Sequence, residues 1–435
     1  MQFVSTRNSK EKVSFAQAIV QPVPRDGGMY APANEENLRP WILHMDSTTP
    51  FSSIAGSLTS ALLKDELSPI ISETIAAKAF PFSPELTQLD DNLFILELYH
   101  GPTGSHKDFG VSFLASCLEH ILLMQDKKAT VLAVTNGETG SCLAHAFRNK
   151  KRLQAILLYT KGSMRGFKES DCIWNGGNIY PVEVNGTQED CFRTAREIYS
   201  DQDLIRRYNL TLANTLNIGR VLPHTFFYTY AFTRLKKVVH SDIYYALAAS
   251  NYGNLVAGLY SWKFSLPVNG FITDSSASLS ADEQGKCIIL DSGIPLSKRG
   301  PSDPINPSNI ERLEEVFFAN PAVIRGLIYP AMVAEQEKEK AVKDFFSKYK
   351  RIIDPSTASA WAAAKKRNDV IEADEGAVVL LARNHPSLEA EKIKRWCGQT
   401  VPMPEEIQSL YTPVLPKRTI DPERNAIVNI LHELS

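Results

Sequence analysis

Apolar and polar positions follow two rhythms along this chain, and the change between them falls near residue 90. Before it, residues 58–67 and 70–79 repeat apolar side chains at helical spacing, interrupted by prolines at 69, 81 and 84. That pattern predicts a mostly helical N-terminal unit over residues 1–90. After it the rhythm becomes apolar strand, polar or glycine turn, then helix. Residues 93–98, 129–135, 155–159, 243–249 and 378–382 read as strands. Helices are predicted from about residue 107 (apolar face Leu114, Leu118, Ile121, Leu122) and over 141–150, 255–262, 309–318 and 331–349. Strands apolar throughout, alternating with helices, imply an α/β fold with a mainly parallel sheet covered on both faces. Ligands in such folds gather at the carboxyl ends of the strands. Residues 292–307, rich in Pro, Ser, Asp and Lys, read as a long surface connector. The catalytic region is placed at 91–390, and a proline-broken tail, 391–435, receives no role.

Composition narrows the class. The 435 residues are 43% hydrophobic and 22% charged, ordinary for a globular chain. Forty-seven basic residues nearly balance 49 acidic ones. No global field therefore points to nucleic acid or to a membrane surface. Arg7, Lys10, Glu11 and Lys12 interrupt the start, so no signal-peptide core is expected, and no later run is long enough to span a bilayer. The six cysteines show no CxxC spacing, which reads as small core residues of a reducing compartment, the cytoplasm. The nine histidines form no HExxH motif and no Cys/His cluster, so no metal site is predicted.

Chemistry concentrates in Gly101-Pro-Thr-Gly-Ser-His-Lys-Asp-Phe-Gly110, between a predicted strand and a predicted helix. Asp108 is placed to cap the helix, which puts the Lys107 ammonium at its N-terminus, where dipole and burial disfavour charge. A free amine suits carbonyl chemistry, most obviously a Schiff base with pyridoxal phosphate. A nucleotide-binding P-loop is excluded, because His106 and Asp108 stand where glycine and Ser or Thr are needed. His106 itself faces either the pocket or bulk water. Ser250-Asn-Tyr-Gly-Asn254 joins another strand to its helix and offers backbone amides to a phosphate.

Tyr99-His-Gly-Pro-Thr-Gly-Ser-His-Lys-Asp108 resembles the cofactor-lysine segment of the threonine synthase family. Resemblance continues at Ser5-Thr-Arg7, Val13-Ser-Phe15, Asp26-Gly-Gly-Met-Tyr-Ala-Pro32, Asn214-Thr-Leu-Asn-Ile-Gly-Arg220 and Asp354-Pro-Ser-Thr-Ala358. It implies a type II pyridoxal-phosphate enzyme fold, similar to the tryptophan synthase β chain. Two α/β lobes would hold the cofactor between them, with a helical N-terminal unit alongside. It implies Lys107 as catalytic and cofactor residue. It implies Ser250, Asn251, Tyr252, Gly253 and Asn254 around the cofactor phosphate, with Ser250 in place of the family's glycine. Asn136, Glu138 and Thr139 match the family's Ser-Gly-Asp-Thr-Gly. Asn136 and Glu138 would border the cofactor, and Thr139 the substrate. Asn214, Thr215 and Arg220 match a segment that would grip the substrate phosphate, with Arg165 and Lys168 assisting.

Arg383 stands where the family has a threonine at the cofactor ring nitrogen, with Asn384 as the other candidate for that contact. The implied reaction converts O-phospho-L-homoserine and water to L-threonine and phosphate, by a monomer or homodimer. Alternatives are a related lyase that eliminates phosphate or water from another amino acid, and a non-catalytic binding protein of the same fold.

Overall fold

A computed structural model describes residues 1–289, 294–319 and 321–435, leaving out the side chain of Ser297. Two sheets organise the chain. The first has six strands in the order Ile328–Ala331, Gly270–Asp274, Ile243–Leu247, Ala377–Ala382, Leu93–Glu97, Glu85–Asp90. Its first five strands run parallel, and the edge strand Glu85–Asp90 pairs antiparallel. The second, wholly parallel, has the order Thr419–Ile420, Ile179–Val184, Leu153–Thr160, Ala129–Thr135, Leu210–Thr211. Ile243–Leu247, Ile179–Val184 and Ala377–Ala382 are buried at every position, as strands covered on both faces must be.

Helices cover the sheets. Pro355–Lys366 starts on an Asp354 cap with proline at its first position and packs with Glu335–Tyr349 over the six-stranded sheet, where Trp361 and Phe345 meet edge to face. Gln188–Tyr199 opens with a Thr187–Asp190 capping box and packs over the five-stranded sheet.

The N-terminal unit is less helical than its rhythm predicts. Phe51–Leu62 and Pro69–Ala79 are helices, but Phe3–Ser5, Asn8–Val13 and Tyr30–Pro32 form a three-stranded antiparallel sheet. That sheet escapes detection because Asn8–Val13 is solvent-facing and polar, with only Val13 buried. Residue 90 ends the edge strand Glu85–Asp90, which pairs with Leu93–Glu97. The tail is also built in: Arg424–Glu433 buries Ile427, Ile430 and Leu431 against Leu132, Ile156 and Leu158. Of the expected loop 292–307, residues 292 and 293 lie outside the described residues; the remainder holds one short 3-10 turn, Leu296–Lys298.

Candidate active site

Three neighbouring strands of the six-stranded sheet deliver the chemistry at their carboxyl ends. Leu93–Glu97 leads to the Lys107 loop, Ala377–Ala382 to Arg383 and Asn384, and Ile243–Leu247 to the Ser250–Asn254 turn. From the other sheet, Ala129–Thr135 leads to Asn136–Gly140. The loops meet at Ser105, whose hydroxyl donates to Glu138 Oε1 at 2.6 Å and also lies 2.9 Å from Asn384 Oδ1. One buried serine thus ties the two sheets together beside the lysine.

Lys107 is the first residue of the helix Lys107–Met124. Its Nζ lies 3.1 Å from Glu138 Oε2 and 3.3 Å from Thr139 Oγ1. Burial pushes the Glu138 carboxyl up, but the Lys107 ammonium and the Ser105 hydroxyl outweigh it, and the pKa falls below the usual carboxylate value. A carboxylate faces the amine. Thr139, expected on the substrate, lies beside the lysine.

Asp108 does not cap the helix as expected. It is the second helical residue, 2% exposed, and turns back to accept from Thr103 N (2.8 Å) and Thr103 Oγ1 (2.9 Å). It therefore closes the Gly101–Lys107 loop, and burial raises it to about 6. His106 faces neither an open pocket nor bulk water. It is buried, with its ring 5.8 Å from that of His224.

Arg220, expected at the substrate phosphate, sits beside Lys107. It is 4% exposed, and its Nη1 donates to the Lys107 carbonyl at 2.9 Å. Against Gly110, its Nη1 holds the backbone of Lys107, so that arm of its fork is engaged there. Asn214 is likewise spent, donating to the Pro304 carbonyl at 2.7 Å and accepting from Leu216 N at 3.0 Å. Thr215 belongs to the other end of the site: its hydroxyl accepts from Asn251 Nδ2 (3.0 Å) and Asn309 Nδ2 (3.1 Å).

The Ser250–Asn254 turn is tightly wound. Ser250 and Tyr252 take left-handed φ values of 48° and 64°, and Gly253 opens the eleven-residue helix Gly253–Lys263. Ser250 and Asn251 are exposed, while Tyr252 is buried and its hydroxyl bonds Ser276 at 2.6 Å. Asn254 is buried, its carbonyl accepting from Tyr228. Asp274 holds the turn from below, accepting from Ala249 N at 2.6 Å.

Four contributors escape the motif reading. Arg312, fully buried, donates to the carbonyls of Tyr30, Thr215 and Leu216 (2.6–2.8 Å) and pins the Thr215 segment. Asn309 bonds both Thr215 and the Asn251 carbonyl. Ser105 carries no signal beyond its place in the loop. Tyr411 reaches in from the tail to donate to the Thr103 carbonyl at 3.1 Å.

The geometry fits pyridoxal phosphate. The amine, the helix N-terminus behind the wound turn, and the polar side chains of Asn251, Thr215 and Asn309 give it a carbonyl partner and a phosphate seat. Among the described residues, the buried Arg383 Nε and His106 Nδ1 have no hydrogen-bond partner.

The family model described as threonine synthase N terminus matches residues 2–80. Threonine synthase from Haemophilus influenzae is 28% identical over 410 residues, 94% of each chain. That from Escherichia coli is 27% identical over the same span. The chain is similar to threonine synthases along nearly its whole length. Its fold agrees: the crystal structure of the Escherichia coli threonine synthase matches with a TM-score of 0.80 at 24% identity, covering all of both chains. A pyridoxal-phosphate-bound threonine synthase from Brucella melitensis matches with 0.82 at 20% identity. The fold is that of type II pyridoxal-phosphate enzymes. Against the threonine synthase pattern, Glu138 is one methylene longer than the usual aspartate, and Ser105 takes up its second oxygen.

Proposed function

We propose that this chain is a threonine synthase, a lyase of amino-acid biosynthesis that converts O-phospho-L-homoserine and water to L-threonine and phosphate with pyridoxal phosphate held on Lys107. The observation that carries the reading is the Lys107 amine at a helix start, 3.1 Å from Glu138, at the strand ends shared by the Ser250–Asn254 turn. The amides and side chains of Ser250, Asn251, Gly253 and Asn254, with Thr215 and Asn309, hold the cofactor phosphate. Tyr252 shapes the turn, Asn136 and Glu138 border the ring, and Arg383 or Asn384 lies at its far edge. When bound, the cofactor supplies an electron sink for the pair left at the substrate α carbon.

This chain's residues do the rest. Lys107 Nζ takes the α proton as general base, gives it up, and then takes a β proton; of the two, one returns to Cα and one ends on Cγ where the phosphate leaves. Glu138 steadies the resulting ammonium so that it can return a proton. The bond from Cγ to the phosphate oxygen then breaks, and a water adds at Cβ. For the leaving phosphate we assign Arg165, because Arg220 and Asn214 are already committed elsewhere. Arg165 is half-buried, donates to the Asn136 carbonyl at 2.5 Å, and has no carboxylate partner among the described residues.

Among the described residues no helix is long and apolar enough to cross a membrane, and all six cysteines are free. A cytoplasmic enzyme, monomer or homodimer, acting on a small molecule accords with both.

Incubation with O-phosphohomoserine is expected to release phosphate and threonine in equal amounts. Arg165→Ala should raise KM and slow release by roughly tenfold or more, the loss of a charge-assisted contact. Phosphate accompanied by a keto acid alone would instead assign an eliminating lyase.

A further inference from the structure

Behind the Lys107 helix lies a second concave site, separate from the amine. It is an open cleft of about 490 Å³ between Pro69–Ala79, Lys107–Met124, Glu138–Phe147 and the tail at Ile407. Lys107 does not line it. Its polar wall is Lys78, His145, Arg148, Lys150, Ser112 and Ser116, with His100 at the rim paired to Glu97 at 3.0 Å.

Positive charge there is poorly balanced. Arg148 pairs with Asp171 at 2.7 Å, but Lys78, His145 and Lys150 have no ion pair among the described residues. Glu406 is the only carboxylate on the wall, and it is exposed. Glu119, the nearby acid acting on Lys150, already accepts from the backbone amides of Lys151 and Arg152. Burial lowers the Lys150 pKa, Glu119 opposes that, and Lys78 adds to it, so the two lysines feel one another. Burial and Arg148 similarly lower His145.

The second observation is Ser116. It is 6% exposed, lines the cleft, and its hydroxyl has no partner among the described residues. Ser112, one turn earlier on the same helix face, also offers a free hydroxyl. A buried hydroxyl is ordinarily satisfied, so Ser116, with the half-buried Ser112 beside it, offers a donor to an acceptor in the cleft. Phe82, Pro102 and Ile407 give the cleft an apolar side as well.

We propose that this cleft binds a small organic phosphate: Lys78 and Lys150 neutralise the phosphate group, Ser112 and Ser116 donate to it, and the apolar side takes its carbon body. The volume lies within the range of small-molecule sites. A phosphate group can reach the cleft on an organic molecule or as the free ion, and the probes below separate these sources.

The test is calorimetric titration of the holoenzyme with glycerol 3-phosphate and, separately, with orthophosphate, in chloride buffer at fixed ionic strength. A saturable site is expected that Lys78→Ala/Lys150→Ala weakens by roughly tenfold or more, with the circular dichroism of the folded chain retained. Ser116→Ala should weaken it by a smaller factor without changing charge. Tighter binding of glycerol 3-phosphate than of orthophosphate supports the organic ligand. Equal or tighter binding of orthophosphate overturns that assignment. Isotherms identical in parent and variants, or an effect that extra chloride reproduces, overturn the site itself. The readout is binding, so failure here leaves the proposed reaction untouched, and failure of that reaction leaves this site standing.

Discussion

Glu138 reaches the Lys107 ammonium with one oxygen and the Ser105 hydroxyl with the other. A residue so placed sets where the amine sits. Glu138→Gln keeps the shape and the Ser105 contact but removes the charge. It is expected to lower kcat by roughly a hundredfold with KM little changed, as for loss of an aid to proton transfer. Unchanged kcat would remove the carboxylate from the proton-handling part of the site. The motif alone identifies Glu138 but not its partner, because the contact depends on two sheets meeting at Ser105. Arg220 shows the converse. Its residue type and spacing fit a phosphate grip, yet burial against Gly110 turns it toward a backbone carbonyl. Nothing in a linear pattern distinguishes an arginine beneath a helix from one above a cleft.

At the scale of elements, periodicity finds the strands that are buried on both faces and the helices that follow them. It misses what is short, polar or late in the chain. Asn8–Val13 pairs through its backbone while its side chains face water. The tail helix Arg424–Glu433 has its apolar residues at Ile427, Ile430 and Leu431, a proper helical stripe, but the prolines before it dilute the signal. Its strand Thr419–Ile420 is only two residues long and extends the five-stranded sheet beside Ile179–Val184. Ile427 is fully buried, so Ile427→Ala should cost about 2–5 kcal/mol in urea denaturation, the range for a core truncation that leaves a cavity. A loss below about 0.5 kcal/mol, the range of surface substitutions, would show that the tail does not contribute to the core.

Across the whole molecule, the buried polar cluster behind Lys107 links stability to pH. Burial, with help from Arg220, lowers His224 to about 3. Burial, with help first from Arg383 and His224, also lowers His106. Unfolded, both take protons near pH 6.5, so the stability they contribute is present above that pH and is lost as pH falls below it. Asp108, raised to about 6, acts oppositely: it costs stability above that pH and returns it as pH falls toward its unfolded value. Between about pH 6 and 4 the unfolded chain therefore holds a proton on His224 that the folded chain does not. The net difference of one proton is a slope of about 1.4 kcal/mol per pH unit. His224→Gln should flatten the measured slope by that amount, and equal slopes in parent and variant would contradict the burial of a neutral imidazole.

The central claim is that Lys107 carries pyridoxal phosphate. Borohydride reduction of the protein with the cofactor, followed by mass spectrometry of its peptides, tests it directly. The account predicts a yellow protein whose absorbance bleaches on reduction, with the phosphopyridoxyl mass on the peptide containing Lys107 and none in Lys107→Ala. A protein that stays colourless with added cofactor, or a label on a different lysine, would contradict it.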